Sequence, residues 1–383
     1  MITLSKQDAR TFLLHHLHLT RPFGRGVRAV RRLLDVLRCI QLDPLDAIGT
    51  NADLVALARI DGIGRGDIYR GVYPHHAFEH FAKERCLLPA RAFPWYRDRA
   101  AETPWWRLAE RERKLSPEII RSVHDEIAAR GPISATELEH RGSVEAIDWS
   151  GWKGTSRASS MAVEVLWTRC EIVVCGRPRI YDIPERALPQ VANEHPHGDF
   201  ERWALIERVN AAGLLSTAGG AHWSMLSDVR TSALPQQLID EGALLEVAIE
   251  GSRRRYLAPP EILRRRKPQY DNRIRILGPL DPLLWDRLLV RDVFGFDYVW
   301  EVYKPAHLRL WGWYVCPLLQ GDRFVGRIDA RVDGNVFRIK KIWSEPNIEI
   351  DSAALDECLQ RHATACGCSR IAGRRIPKPV LPS

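Results

Sequence analysis

The sequence predicts an α+β protein of tandem winged-helix (helix-turn-helix) motifs followed by a small C-terminal β-barrel. Two observations predict it. A similar order of helices, tight turns and a short strand or hairpin recurs along roughly the first 268 of 383 residues. Beyond the basic run Arg264-Arg265-Arg266-Lys267-Pro268 the texture changes, and residues 274–343 are rich in Val, Tyr, Trp and Phe, with turns at Gly312, Gly321-Asp322 and Asp333-Gly334. The expected boundaries are 1–110, 111–195 and 196–268 for three winged helices, 269–350 for the barrel, and 351–383 for a last helix and tail.

Ser5 reads as an N-cap with Asp8 three residues on, and Ala9, Phe12, Leu13 and Leu17 follow helical spacing. After Gly24 and Gly26 comes a helix over 27–37 with Arg28, Arg31 and Arg32 on its polar side. Cys39-Ile40-Gln41-Leu42-Asp43 alternates in polarity and reads as a strand that stops at Pro44, with a helix over 52–60 behind it. In the second module a helix over 117–129 ends at Gly131-Pro132, and Ser134 with Glu137 reads as the capping box of the next helix. A helix over 161–170 and a wing hairpin over 172–181 follow. The third module offers helices over 201–212, 224–229 and 233–241, then a hairpin from 244–249 and 254–258 through Gly251-Ser252. A final helix over 353–364 precedes a Pro-rich tail expected to be loosely held.

Hydrophobic residues at 45% and charged residues at 27% are those of a folded globular chain. The net charge of +8 and pI near 9.2 suit a protein that meets phosphate backbones. The eight cysteines are scattered without zinc-ribbon pairs, which favours reduced thiols in the cytoplasm, at the bacterial nucleoid. No apolar run reaches bilayer length. Walker, dinucleotide-binding and nucleophile-elbow motifs are absent, which excludes the commonest nucleotide-using and acyl-transfer enzymes.

On a strand, Gln41 and Asp43 face one side and Leu42 the core. An amide and a carboxylate on one face can hold and polarise a water, and the carboxylate can stabilise a sugar cation. The alternative is an Asp-Pro turn at a strand end. Asp281 and Asp286, in Asp281-Pro282-Leu283-Leu284-Trp285-Asp286-Arg287, are either site carboxylates or helix caps with a paired Arg. His76 and His80, four apart, are zinc-compatible on a helix, but no third ligand is placed and no metal is expected. Basic and aromatic residues interleave at Trp95-Tyr96-Arg97, Trp105-Trp106-Arg107 and Trp149 to Arg157. Lys153 and Arg157 there, Arg253, Arg254 and Arg255 at the second hairpin, and Arg28, Arg31 and Arg32 are the candidate phosphate contacts, the alternative being core tryptophans and arginines on a solvated face.

Two stretches resemble the AlkZ/YcaQ-like DNA glycosylases. One runs from Ile40-Gln41-Leu42-Asp43 through Phe78-Glu79-His80-Phe81-Ala82 to Cys86-Leu87-Leu88-Pro89. The other runs from Gly278-Pro279-Leu280-Asp281 through Phe294-Gly295-Phe296 and Tyr303-Lys304-Pro305-Ala306 to Val325-Gly326-Arg327-Ile328-Asp329. The resemblance implies tandem winged helices with a β-barrel, and hydrolysis of the N-glycosidic bond of N7-alkylated purines, interstrand crosslinks included. It implies Gln41 and Asp43 as the catalytic pair, the Gln-apolar-Asp form of the family motif. It also implies a monomer acting on double-stranded DNA with alkylated or crosslinked purines; no cofactor, metal or membrane is expected. Two departures bear on substrate range: Ile48-Gly49-Thr50-Asn51-Ala52 replaces an Ala-Arg-Ser-x-Tyr stretch, and His80-Phe81-Ala82-Lys83 replaces Tyr-Trp-Ala-His. The reading from a different class is a non-catalytic winged-helix DNA binder or regulator, which would show strong sequence preference.

Overall fold

The computed structural model describes residues 2–99, 107–147, 154–264, 267, 269–373 and 378–379. They form two compact units, one of Met1–Gly71, Phe81–Cys86 and Glu201–Ser383, the other of Val72–His80 and Leu87–Phe200.

In the first unit, local capping sets the early helices. Ser5 Oγ accepts from Asp8 N at 3.0 Å and opens helix Lys6–His16. Helix Arg28–Leu37 buries Ala29, Val30, Leu33, Leu34 and Leu37 and turns its arginines outward. Thr50 and Asp53 form a reciprocal capping box on helix Asn51–Leu57. Strand Ile2–Leu4, which the sequence reading omits, pairs in parallel with Leu245–Ile249, and the sheet continues through Arg255–Ala258 to Leu215–Ser216. Three residues carry no period of their own, and a distant partner defines them. Helices Phe200–Ala212 and Leu234–Asp240 lie where expected, whereas the expected helix over 224–229 begins later, as Ser227–Thr231.

The C-terminal sheet runs Ile274–Ile276, Val315–Gln320, Arg323–Asp333, Val336–Ser344, Arg370–Gly373, with Lys378–Pro379 also on Val336–Ser344. The expected barrel is a half-barrel: among the described residues the terminal strands of that path do not pair. Helix Ser352–Ala365 supplies Leu355, Cys358, Leu359 and Ala363 to the core beside Ile274, Ile328 and Phe337, so burial is achieved without closure. The tail expected to be loose contributes two parallel strands. Helix Arg287–Phe294 interrupts the region read as all-β, because Asp286 accepts from Leu288 N and Leu289 N, both at 3.1 Å, and so caps it.

The second unit contains helix Pro117–Arg130, capped by Ser116, then Ile133–Ser134, helix Ala158–Thr168 and the hairpin Val173–Gly176/Ile180–Asp182. The helix expected at Ser134 is a turn. Ser134 N does donate to Glu137 Oε2 at 3.0 Å, but Ile133 and Ser134 pair with Tyr181 and Ile180 and are held extended. His76 and His80 are not helical neighbours either, since His80 lies on strand Ala77–Ala82 and His76 in the turn before it. His80 is buried with Nε2 on Thr168 O at 3.1 Å, and Glu79 pairs with Arg177 at 2.7 Å. The described residues hold no group of three His, Cys, Asp or Glu able to bind a metal, and no helix among them is long and apolar enough to cross a membrane.

Candidate active site

The strand expected over 39–43 is only Ile40–Gln41, and Leu42 N completes the pairing by donating to Arg85 O at 2.8 Å. Asp43 therefore lies past the strand end. Its Oδ1 accepts from Leu45 N at 2.9 Å, the Asp-Pro turn that the sequence allowed. Gln41 is 7% exposed, Asp43 is half-buried, and Leu42, expected in the core, is also only partly covered. Strand alternation thus does not by itself align Gln41 with Asp43.

Lys83 sets the chemistry of Gln41. Lys83 Nζ donates to Gln41 Oε1 at 2.7 Å and lies 5.3 Å from the centre of the Trp285 ring. A lysine ammonium only donates, so the Gln41 oxygen must be its acceptor and the amide orientation is fixed. Gln41 is left with two N–H donors for other partners. Lys83 is 4% exposed, and burial pulls its ammonium down to about 8, with Arg208 pulling the same way and Cys86, Glu84 and Cys39 pulling back. Burial likewise pushes the Asp43 carboxyl up, and the Leu45 hydrogen bond pulls it down.

Asn51 ties this strand to the second motif stretch. Its Nδ2 donates to Gln41 O at 2.8 Å, and its Oδ1 accepts from Leu280 N at 3.1 Å. A Cβ on Gly278 would meet that oxygen at 2.5 Å, so glycine is required there. Next to it, Arg59 and Asp281 form a bidentate pair at 2.7 and 3.0 Å with both side chains fully buried. The helix-cap reading of 281–287 holds: Asp281 caps Pro282–Leu284 and Asp286 caps the next helix, but their arginines are Arg59 and Arg254 rather than Arg287.

The candidate phosphate contacts divide. Arg28, Arg31 and Arg32 are exposed along one helix, although Arg31 Nε also donates to Gly71 O at 2.9 Å. Arg253 and Arg255 are exposed on the hairpin of Leu245–Ile249 and Arg255–Ala258. Arg254 between them is bound by both Asp286 oxygens, at 2.9 and 3.0 Å, which turns it inward. Arg157 donates to Thr136 O and Leu138 O and is likewise spent on the scaffold. Lys153, with Trp105, Trp106, Trp149 and Trp152, lies outside the described residues. Sequence reasoning marked Lys83 and Asn51 only as departures, and their contacts with Gln41 had no local signal.

A family model described as "DNA glycosylase AlkZ-like" matches residues 34–365. The chain belongs to that family and is a DNA N-glycosylase, an enzyme of DNA repair. In fold it is similar to the DNA glycosylase AlkZ of Streptomyces sahachiroi, with a TM-score of 0.61 over 99% of this chain and 100% of that one at 17% identity.

Proposed function

We propose that this glycosylase hydrolyses the N-glycosidic bond of N7-alkylated purines in double-stranded DNA, crosslinked purines included, and that it is monofunctional. The observation that carries the reading is the Gln41 amide locked by Lys83, two positions along the chain from the half-buried Asp43 carboxylate. N7 alkylation makes the purine cationic and a good leaving group, so little acid catalysis is needed. Asp43 stabilises the developing sugar cation and accepts the proton of the attacking water. Gln41, its oxygen held by Lys83, aims that water through its free N–H donors. The water oxygen bonds to C1′ while the glycosidic electron pair leaves on the purine.

The helix–strand–helix–hairpin orders at 117–182 and 200–258 support winged-helix modules there, within the boundaries 111–195 and 196–268. Arg28, Arg32, Arg253 and Arg255 remain the phosphate contacts of this reading, the enzyme acts as a monomer, and a bacterial cytoplasm is its setting. The test is base release from a duplex carrying N7-methylguanine and from one with an N7-linked crosslink, with borohydride present. The expected result is free base, an uncut strand and no trapped adduct. A trapped adduct at Lys83 would show an imine mechanism in its place.

A further inference from the structure

We infer that the segment 299–313 is a rigid apolar prow that inserts Tyr303 between bases of the duplex next to the nucleotide being cut; this rests on the reading above. Tyr303 is 82% exposed, Leu310 73% and Leu308 59%, with Val299 and Trp313 also exposed. Exposed apolar side chains scattered singly need no explanation, but several on one short segment mark an interaction site.

The segment is not a loose loop. The Glu301 carboxylate, itself buried, accepts from Leu310 N at 3.1 Å, Trp311 N at 2.7 Å and Lys304 Nζ at 2.9 Å. Arg309 Nε closes it further on Lys304 O at 2.8 Å. At its far end Gly312 lies against Asp329, where a Cβ would meet Oδ2 at 2.5 Å. A surface ordered in advance loses little conformational entropy on association.

Its base and the chain that leaves Asp43 share one core cluster. Trp300 and Leu45 pack against one core cluster, which also holds Ala47, Ile48 and Tyr314. The Tyr303 ring is 5.8 Å from Trp300, and Trp300 is 6.0 Å from Tyr314. Tyr303 also feels the Asp43 charge, which adds to burial in pushing its phenol up. Lys304, still 46% exposed in its pair with Glu301, and Arg309 border the apolar tip, and the Glu301 carboxylate that braces the segment is sunk beneath. Cations around an aromatic wedge fit a phosphate-lined base stack, and every base offers a face on which to stack.

The test measures binding by anisotropy and unstacking by 2-aminopurine fluorescence beside an N7-methylguanine whose 2′-fluoro sugar blocks base loss. Wild type should raise the fluorescence. Tyr303→Ala should abolish the rise and weaken binding about fivefold or more, as loss of one stacked base does. Tyr303→Phe should restore both, and Leu310→Ser should fall between. Tyr303→Ala that binds within about twofold of wild type with the rise intact overturns the inference. So does a Tyr303-dependent change in oligomeric state with DNA affinity untouched, because the occupant would then be a second copy. If Tyr303 governs unstacking but wild type releases no base from the ordinary 2′-deoxy substrate, the functional reading fails and the prow stands.

Discussion

Lys83 Nζ lies 2.7 Å from Gln41 Oε1, between two side chains that are both buried. The bond decides which way the Gln41 amide faces, and in the proposed mechanism Asp43 is the acceptor for the water proton. With the ammonium near pH 8, raising the pH removes its charge and lets the amine accept as well as donate, so the lock on Gln41 loosens. Base release should therefore fall on the alkaline side near pH 8 in wild type. Lys83→Arg stays charged and should lose that limb. Lys83→Met should lower the rate about tenfold or more, the loss of one charged hydrogen bond. An alkaline limb that persists in Lys83→Arg contradicts the assignment.

Asn51 joins the two distant motif stretches through one side chain, accepting from Leu280 N while donating to Gln41 O. Asn51→Ala should cost about 1–3 kcal/mol in chemical denaturation, because it strands a buried carbonyl and a partly buried N–H. Base release should drop at a temperature where the variant is still folded. Asn51→Asp should not rescue, since a carboxylate lacks the donor that Gln41 O needs.

The Arg59–Asp281 pair is fully buried on both sides. Asp281→Ala leaves a guanidinium without its carboxylate and should cost about 3–5 kcal/mol, far more than an exposed pair such as Arg70–Asp67 at about 0–1 kcal/mol. An equal loss in Asp281→Ala and in Arg70→Ala, which breaks the exposed pair, would contradict a structural role for the buried pair.

Exposed and inward-turned arginines should separate in a salt titration. Arg28→Ala and Arg32→Ala should each reduce the slope of log affinity against log salt by about 1, with melting temperature unchanged. Arg254→Ala should lower the melting temperature through Asp286 and leave the slope alone. A slope change in Arg254→Ala would place that guanidinium on phosphate.

Much of this fold was legible because its signals are local. Ser5, Ser116 and Asp286 cap helices, and Gly251-Ser252 and Gly321-Asp322 turn hairpins, whatever surrounds them. The misreadings came where a distant partner overrides a local rule. Ser134 has its capping partner and is still held in a strand by Ile180. Arg157 and Arg254 look like free cations in sequence and are taken by carbonyls and a carboxylate far along the chain. At the site, Gln41 and Asp43 were visible as a motif, but the groups that orient them were not. Lys83 reaches Gln41 across 42 positions, a separation that no periodicity reports.

The most direct test of the central claim compares Asp43→Asn with wild type in base release from an N7-methylguanine duplex across pH. Asn keeps the turn acceptor for Leu45 N, so the fold should be unchanged. Burial lifts the Asp43 carboxyl, so its ionised form is lost as pH falls through that raised value. Wild type should lose activity at a pH above the ordinary aspartate range, and Asp43→Asn should be inactive at every pH while still binding DNA. Base release by Asp43→Asn at the wild-type rate, with the same acid limb, would contradict the account.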